Sequence, residues 1–559
     1  MKLAYLYIEE HRVLKNIHIP INSDHKCDYS EESFTLKTNK STLDYYQGLS
    51  CSAIIGKNGV GKSTILDFIE TAYSGTDSSG IIVWFNKLTS KYHICPINIY
   101  LSPSSIASEH EFVLEDDLNK FVKRHKIKLV KANNLTGVEA NDFSVKRKAS
   151  SFIYDMSLSQ YAKGSKRVIA QRTNRLIRYF NSSASFKSSE QPKVQFTFKF
   201  NPSSTAYLKS LLNDEEFVSK HINNLDDLEL LKQQLNSDFS RIDLHEYQNI
   251  ASQLLRSNTL SIFNYLSRTS LIAKSHQNAF FIRCLLSHLK GHFDHDEMLN
   301  ILVTLRDKKG IHDTDLISKT DTLIIGKRYH DILDILGAIS HIQHLHINEY
   351  KINHHDEISS FNADYIIELT SCISKLPAIL ASNMPYGWNG FSTGEFAKLN
   401  IFSELYTYVR NEKNNDIKNH LIVMDEVDLY LHPDWQRTFF SELLDFINTE
   451  FPDNSVQLIL STHSPIIISD FLPEDIVSLN KVGGKTKIVE SFGFGSHITD
   501  LYVDGMHLKS TFGAHSKQAI NDILERRNEG ALTKQDIQLV KKIKSKNIQQ
   551  MILGSHDKS

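Results

Sequence analysis

Residues 56–63 read Gly56-Lys57-Asn58-Gly59-Val60-Gly61-Lys62-Ser63 and satisfy the pattern G-x-x-x-x-G-K-[ST] at every fixed position. The five residues before it, Cys51-Ser52-Ala53-Ile54-Ile55, are small and apolar, as a buried strand requires. The residues after it, Thr64-Ile65-Leu66-Asp67-Phe68-Ile69, carry the apolar spacing of a helix packed on a sheet. In a strand–loop–helix of this kind, glycines let the backbone N–H groups turn inward around phosphate oxygens at the positive end of the helix. The motif predicts that Gly56 through Thr64 line a nucleotide, that Lys62 reaches its β- and γ-phosphates, and that the Ser63 hydroxyl is a ligand of Mg²⁺. An ordinary glycine-rich turn does not need a buried strand on one side and an amphipathic helix on the other. This chain binds a nucleotide.

Composition narrows the setting. At 559 residues the chain has room for roughly three or four domains. With 41% hydrophobic and 23% charged residues it reads as a soluble globular protein. No apolar run approaches the ~18 residues of a membrane span, and acidic residues interrupt MKLAYLYIEEHRVLK where a secretion signal needs an apolar core. Five scattered cysteines without a C-x-x-C argue for a reducing, cytoplasmic setting and against a cysteine-based zinc site. The net charge of −2 hides an asymmetry. Residues 118–200 hold 18 Lys and Arg against four acidic residues, a local +14, which leaves −16 on the remainder. Lys123, Arg124, Lys146, Arg147, Lys148, Arg167, Arg172 and Arg175 belong to this stripe, which can neutralise a row of phosphates. A solvated basic insert is the other reading.

The pattern along the chain predicts the first half of a mixed α/β head over 1–115, the basic insert over 116–200 and a mainly helical lobe over 201–384. The second half of the head then spans 385–495, and a helical tail 496–559 is a candidate partner-binding region. Helical spacing is plain over Leu225–Leu235, His245–Leu266 and Asn278–Leu289. The lobe's histidines, among them His341 and His344 on one helix face, lack an H-E-x-x-H and read as ordinary surface or core residues. From 390 the strand character returns. Leu421-Ile-Val-Met424 ends in Asp425-Glu426, and Val456-Gln-Leu-Ile-Leu460 ends in Ser461-Thr462-His463. Two carboxylates at the end of a buried strand beside a phosphate loop can divide the work. Asp425 is assigned to the metal, Glu426 to the attacking water, and His463 to sensing the γ-phosphate.

In this order, GKNGVGKS, Phe391-Ser-Thr-Gly-Glu395, LIVMDE and Ser461-Thr-His463 resemble the Walker A, signature, Walker B and histidine-switch series of ABC-type ATPase heads. The insert of some 300 residues between the first two resembles the split heads of the SMC and OLD-type branch. The run DEVDLYLHPDWQ, Asp425–Gln436, is similar to the D-E-x-x-x-x-L-H-P of defence and repair ATPases in that branch. The segment FGFGSHITDLYVDGMHL, Phe492–Leu508, is similar to one that follows the heads of the PtuA family of Septu and retron antiviral systems, with His497 in place of an asparagine.

The resemblance implies a dimer or higher homo-oligomer in which the signature residues Ser392, Gly394 and Glu395 of one subunit cap ATP·Mg²⁺ held by another. Thr393 stands where glycine is commoner, which implies slow turnover. For the PtuA family it further implies a separate HNH endonuclease of the PtuB type, and in retron versions a reverse transcriptase with its multicopy single-stranded DNA. A stand-alone SMC/OLD-like DNA repair or processing ATPase is the alternative. A built-in OLD nuclease is disfavoured, since Asp500 and Asp504 do not form an Asp-x-Asp. Gln171 and Gln195 are the candidates for the Q-loop residue of such heads.

Overall fold

The computed structural model describes the chain outside residues 31–32, 40–42, 75–77, 134–149, 158–165, 181, 183–194, 223, 237–248, 307–318, 354–356, 391, 413–416, 418, 452–454, 509 and 554–559. The chain forms two compact units. The first comprises Met1–Asn133, Ala140–Asp155 and Asp416–Ser559, and the second comprises Asn134–Glu139 and Met156–Asn415.

At the centre of the first unit is a seven-stranded sheet. Its spatial order is Ile153–Asp155, Ile127–Asn133, Asn419–Asp425, Ser455–Ser461, Ser50–Gly56, Ile476–Val482 and Lys485–Val489. The first six run parallel and the last pairs antiparallel with its hairpin partner. Strands covered on both faces read as unbroken apolar runs rather than alternations. The phosphate-loop strand is buried at every residue, and Asn419–Asp425 and Ser455–Ser461 at all but the first. A second, five-stranded sheet has the order Leu14–Pro20, Lys2–His11, Ser79–Asn86, Lys91–Ile97, Glu111–Leu114. The helix Lys62–Ser74 shares one core with both sheets: Ile65, Phe68 and Ile69 cluster with Leu3, Leu6 and Trp84 and with Ile54, Leu421 and Ile459. Burying a side chain such as Phe68 contributes about 2–3 kcal/mol, so the helix that begins at the phosphate loop is clamped from two directions.

The second unit is built on helices, including Ile250–Ser267, Lys274–Leu289, Lys319–Leu345 and Ala363–Lys375, packed into one apolar core. The expected helices Leu225–Leu235 and Asn278–Leu289 fall within Leu225–Asn236 and Lys274–Leu289, while that expected over His245–Leu266 runs Ile250–Ser267, with residues 245–248 outside the described set. The lobe also holds a four-stranded antiparallel sheet, ordered Tyr350–Ile352, Glu357–Ser360, Gln195–Lys199, Tyr386–Asn389, which the sequence reading lacked.

Two expected boundaries move. The strand Ile127–Asn133 lies in the central sheet and not in a separate basic insert. The signature helix Thr393–Glu412 groups with the lobe, because it packs along the helix Lys166–Phe180 within the second unit. The tail is helical over Ala514–Asn528, Lys534–Val540 and Lys546–Leu553, around a small core of Ile523, Val540 and Ile552. No helix among the described residues is long and apolar enough to cross a membrane.

Candidate nucleotide site

In an open parallel sheet, ligands collect at the carboxyl ends of the strands, and four such ends meet here. Asn133 stands opposite Asp425, and Ser461 stands opposite Ile54, two residues before Gly56. The loop backbone is fixed by its neighbours. Gly56 has φ +144°, and a Cβ there would strike the Leu479 carbonyl. Gly61 has φ +109°, and a Cβ there would come within 2.5 Å of Leu14 Cδ2. Neither position admits a side chain. The Thr486 hydroxyl donates to the Val60 carbonyl at 2.9 Å, tying the loop to the hairpin strand.

Lys62 is 6% exposed, and its ammonium donates to the carbonyls of Gly56 at 2.9 Å and Lys57 at 3.5 Å. Burial lowers its pKa, while the nearby carboxylates of Glu426, Asp425 and Asp428 act against that shift. Asp425 is held from two sides. The Ser461 hydroxyl donates to its Oδ1 at 2.5 Å, and the Asn133 amide donates to its Oδ2 at 3.5 Å. The exposed Ser63 hydroxyl on the first turn of the helix and this oriented carboxylate are hard oxygen donors of the kind Mg²⁺ takes. Glu426 leaves the strand with φ +51°. Its carboxyl is raised above the usual carboxylate range, first by burial and then by the neighbouring charge of Asp425. His463 is pushed toward the neutral form by burial and by Lys62, and its buried Nε2 has no partner among the described residues. An unmatched imidazole nitrogen beside a cation fits a phosphate oxygen better than it fits a finished core.

Two residues of this site were not read from the sequence. Asp428 accepts from the Thr462 hydroxyl at 2.7 Å and from the His463 N–H at 3.2 Å, so it fixes the turn that carries the histidine. Its signal was its place three residues after Asp425 in the quoted D-E-V-D. Replacing Asp428 with Ala removes two charge-assisted hydrogen bonds of about 1.5–3 kcal/mol each. We expect kcat to fall about 10- to 100-fold with ATP affinity nearly unchanged, measured by steady-state hydrolysis beside equilibrium binding. Asn133 is the second. It supplies an amide next to Asp425, while the Q-loop candidates Gln171 and Gln195 belong to the second unit.

The remaining candidates separate. In the second unit, Ser392 and Glu395 form a reciprocal cap on the helix Thr393–Glu412. The Ser392 N–H donates to the Glu395 carboxylate at 2.7 Å, and the Glu395 N–H to the Ser392 hydroxyl at 3.3 Å. Thr393 is exposed and Gly394 is buried, so the start of a 20-residue helix lies at an open surface of its unit. Of the basic stripe, Lys146, Arg147 and Lys148 lie outside the described residues, as does the side chain of Arg167. Lys123 is exposed, whereas Arg124 bonds both oxygens of Glu115 at 2.7 and 2.6 Å.

Arg175 must be removed from the phosphate-binding set. It is 8% exposed and pairs with the 2%-exposed Glu404 at 2.5 Å while bonding Asn400 at 2.8 Å, so its charge is matched inside the lobe. Arg172 is half-buried with its guanidinium 3.9 Å from the Phe396 ring centre, and burial lowers its pKa to about 10. The stripe is therefore partly a structural feature of the lobe.

A P-loop, a paired-carboxylate strand end and a histidine turn on one parallel sheet define a nucleoside-triphosphatase of the ATPase-head class. The chain belongs to the AAA ATPase domain family, which it matches over residues 1–468. It is also similar to a retron Vc95 probable ATPase from Vibrio cholerae serotype O1 biovar El Tor, 35% identical over 82 residues. That match spans 14% of this chain and 15% of the relative's length. A solved structure of the recombination mediator RecF with an ATP analogue aligns over 87% of this chain and 98% of its own, with 10% identity and a TM-score of 0.23.

Proposed function

We propose that this ATPase closes ATP·Mg²⁺ between two copies of its head and, in doing so, controls a separate HNH nuclease of the PtuB type in an antiphage system. The observation that carries the reading is the convergence of Lys62, Asp425, Glu426, Asp428 and His463 at the carboxyl ends of neighbouring parallel strands. The short match to a retron-associated probable ATPase supports the defence setting. When bound, Mg²⁺ would offset phosphate charge, with Ser63 and Asp425 as its protein ligands. Lys62 binds the phosphates, Glu426 accepts the proton of the attacking water, and His463 meets the transferred group through its neutral ring. The surface helix start at Ser392–Glu395 would cap a phosphate on a second copy through the N–H groups of Thr393 and Gly394, those of Ser392 and Glu395 being engaged in the reciprocal cap. The exposed Lys123, with Lys146, Arg147, Lys148 and Arg167, would contact nucleic acid, with or without retron DNA and its reverse transcriptase.

The test is to purify tagged Glu426→Gln protein co-expressed with the products of its neighbouring genes. Recovery of a stoichiometric HNH protein, with or without a branched DNA–RNA species, is the expected result. A homo-oligomer that brings down neither would overturn the defence reading in favour of a stand-alone DNA-processing ATPase.

A further inference from the structure

Away from the nucleotide site, three side chains able to ligate a metal come together in the first unit: His93, Glu115 and His125. They arrive from separate places. His93 lies on the strand Lys91–Ile97, Glu115 directly follows the strand Glu111–Leu114, and His125 closes the helix Leu118–Arg124 just before the strand Ile127–Asn133. His93 and Glu115 are each 7% exposed, and one donor atom from each of the three lies within 4.8 Å of the other two. His93 Nδ1 is 2.8 Å from Glu115 Oε1, and the two imidazole rings are 4.9 Å apart.

A buried carboxylate needs a positive partner, and here Arg124 provides it. Its guanidinium bonds both Glu115 oxygens and donates from Nε to His125 Nε2 at 3.4 Å, yet its side chain remains 59% exposed. One cation, on a long arm open to solvent, thus reaches the carboxylate and one of the two imidazoles.

We propose that His93, Glu115 and His125 form a binding site for a divalent transition metal of the zinc class, with Arg124 as the cation that occupies it in the metal's absence. Two imidazoles and one carboxylate are a three-protein-ligand set that suits Zn²⁺, leaving a fourth position for water. Tetrahedral bonds of ~2.1 Å set donors ~3.4 Å apart; the three donors already lie within 4.8 Å of one another, with His93 and Glu115 at 2.8 Å, and withdrawal of Arg124 frees the His125 ring to adjust. The ion would fasten the five-stranded sheet to the strand Ile127–Asn133 of the central one. His125 already ties there through its carbonyl, which accepts from the Asn419 amide at 2.9 Å at the start of the Asp425 strand.

The test uses the full chain, stripped with a chelator, titrated with Zn²⁺ by calorimetry and with Co²⁺ by visible absorption. One equivalent of Zn²⁺ should bind with a Kd of about 1 µM or tighter, raise the melting temperature, and give the intense visible bands of four-coordinate Co²⁺. His125→Ala, at a half-buried position, should weaken binding about 100-fold and abolish those bands. Arg124→Ala should tighten it roughly tenfold by removing the competing cation, a change that no misfolded variant would produce. Absence of stoichiometric metal, an undiminished affinity in His125→Ala, or weaker binding in Arg124→Ala would each overturn the site.

Discussion

Glu426→Gln is expected to bind ATP with parental affinity and to hydrolyse it about 10³-fold more slowly, within the range that a positioned general base contributes. The residue sits one position past the strand, where the backbone turns to φ +51° and carries the carboxyl off the sheet. Burial and the adjacent Asp425 raise its proton affinity, as a group that must take a proton from water requires. Glutamine keeps the shape and the turn but has no basic oxygen. Single-turnover hydrolysis beside equilibrium binding separates the two effects, and an unchanged turnover would remove Glu426 from its role.

Lys62→Ala acts one step earlier, and its ATP affinity should fall by at least about 100-fold, the scale of a buried charge pair with phosphate. The lysine is buried by the loop and lies near Asp425, Glu426 and Asp428. Removing it therefore deletes a phosphate partner and also leaves three carboxylates facing the triphosphate. Binding of a fluorescent ATP analogue measures the loss. The folded protein should otherwise persist, since Ile65, Phe68 and Ile69 keep the helix in its core. Retention of affinity within threefold would show that phosphate is held elsewhere.

The parts of this site that were legible in the sequence share a physical cause. CSAIIG, which leads into the phosphate loop, LIVMDE and VQLIL followed by Ser-Thr-His belong to central parallel strands, buried on both faces, so each is an apolar run ending abruptly at the sheet's carboxyl edge in the loop or in polar residues. The strand Ile127–Asn133 broke that rule. Its Lys128 and Lys131 made it look like part of a charged insert, although Lys131 is taken up by Glu70 at 3.0 Å and Asp155 at 3.4 Å within the fold. Asn133 was hidden for the same reason. Arg175 shows the opposite failure: its partners Asn400 and Glu404 are more than 200 residues away, and no local pattern marks a positive charge as internally paired. The small sheet of the second unit comes from strands of three to five residues scattered between 195 and 389, too short for an alternation to register. Asp428 was visible as a letter, but its hold on Thr462 and His463 exists only once two strands lie side by side.

A head that clamps ATP between copies must change its assembly state with nucleotide. Sedimentation velocity of Glu426→Gln protein, with and without MgATP, tests this most directly, because ATP persists through the run. The expected result is a shift from one copy to two on adding MgATP, lost in the Lys62→Ala,Glu426→Gln double variant. A protein that binds ATP stoichiometrically and sediments unchanged would contradict the shared site.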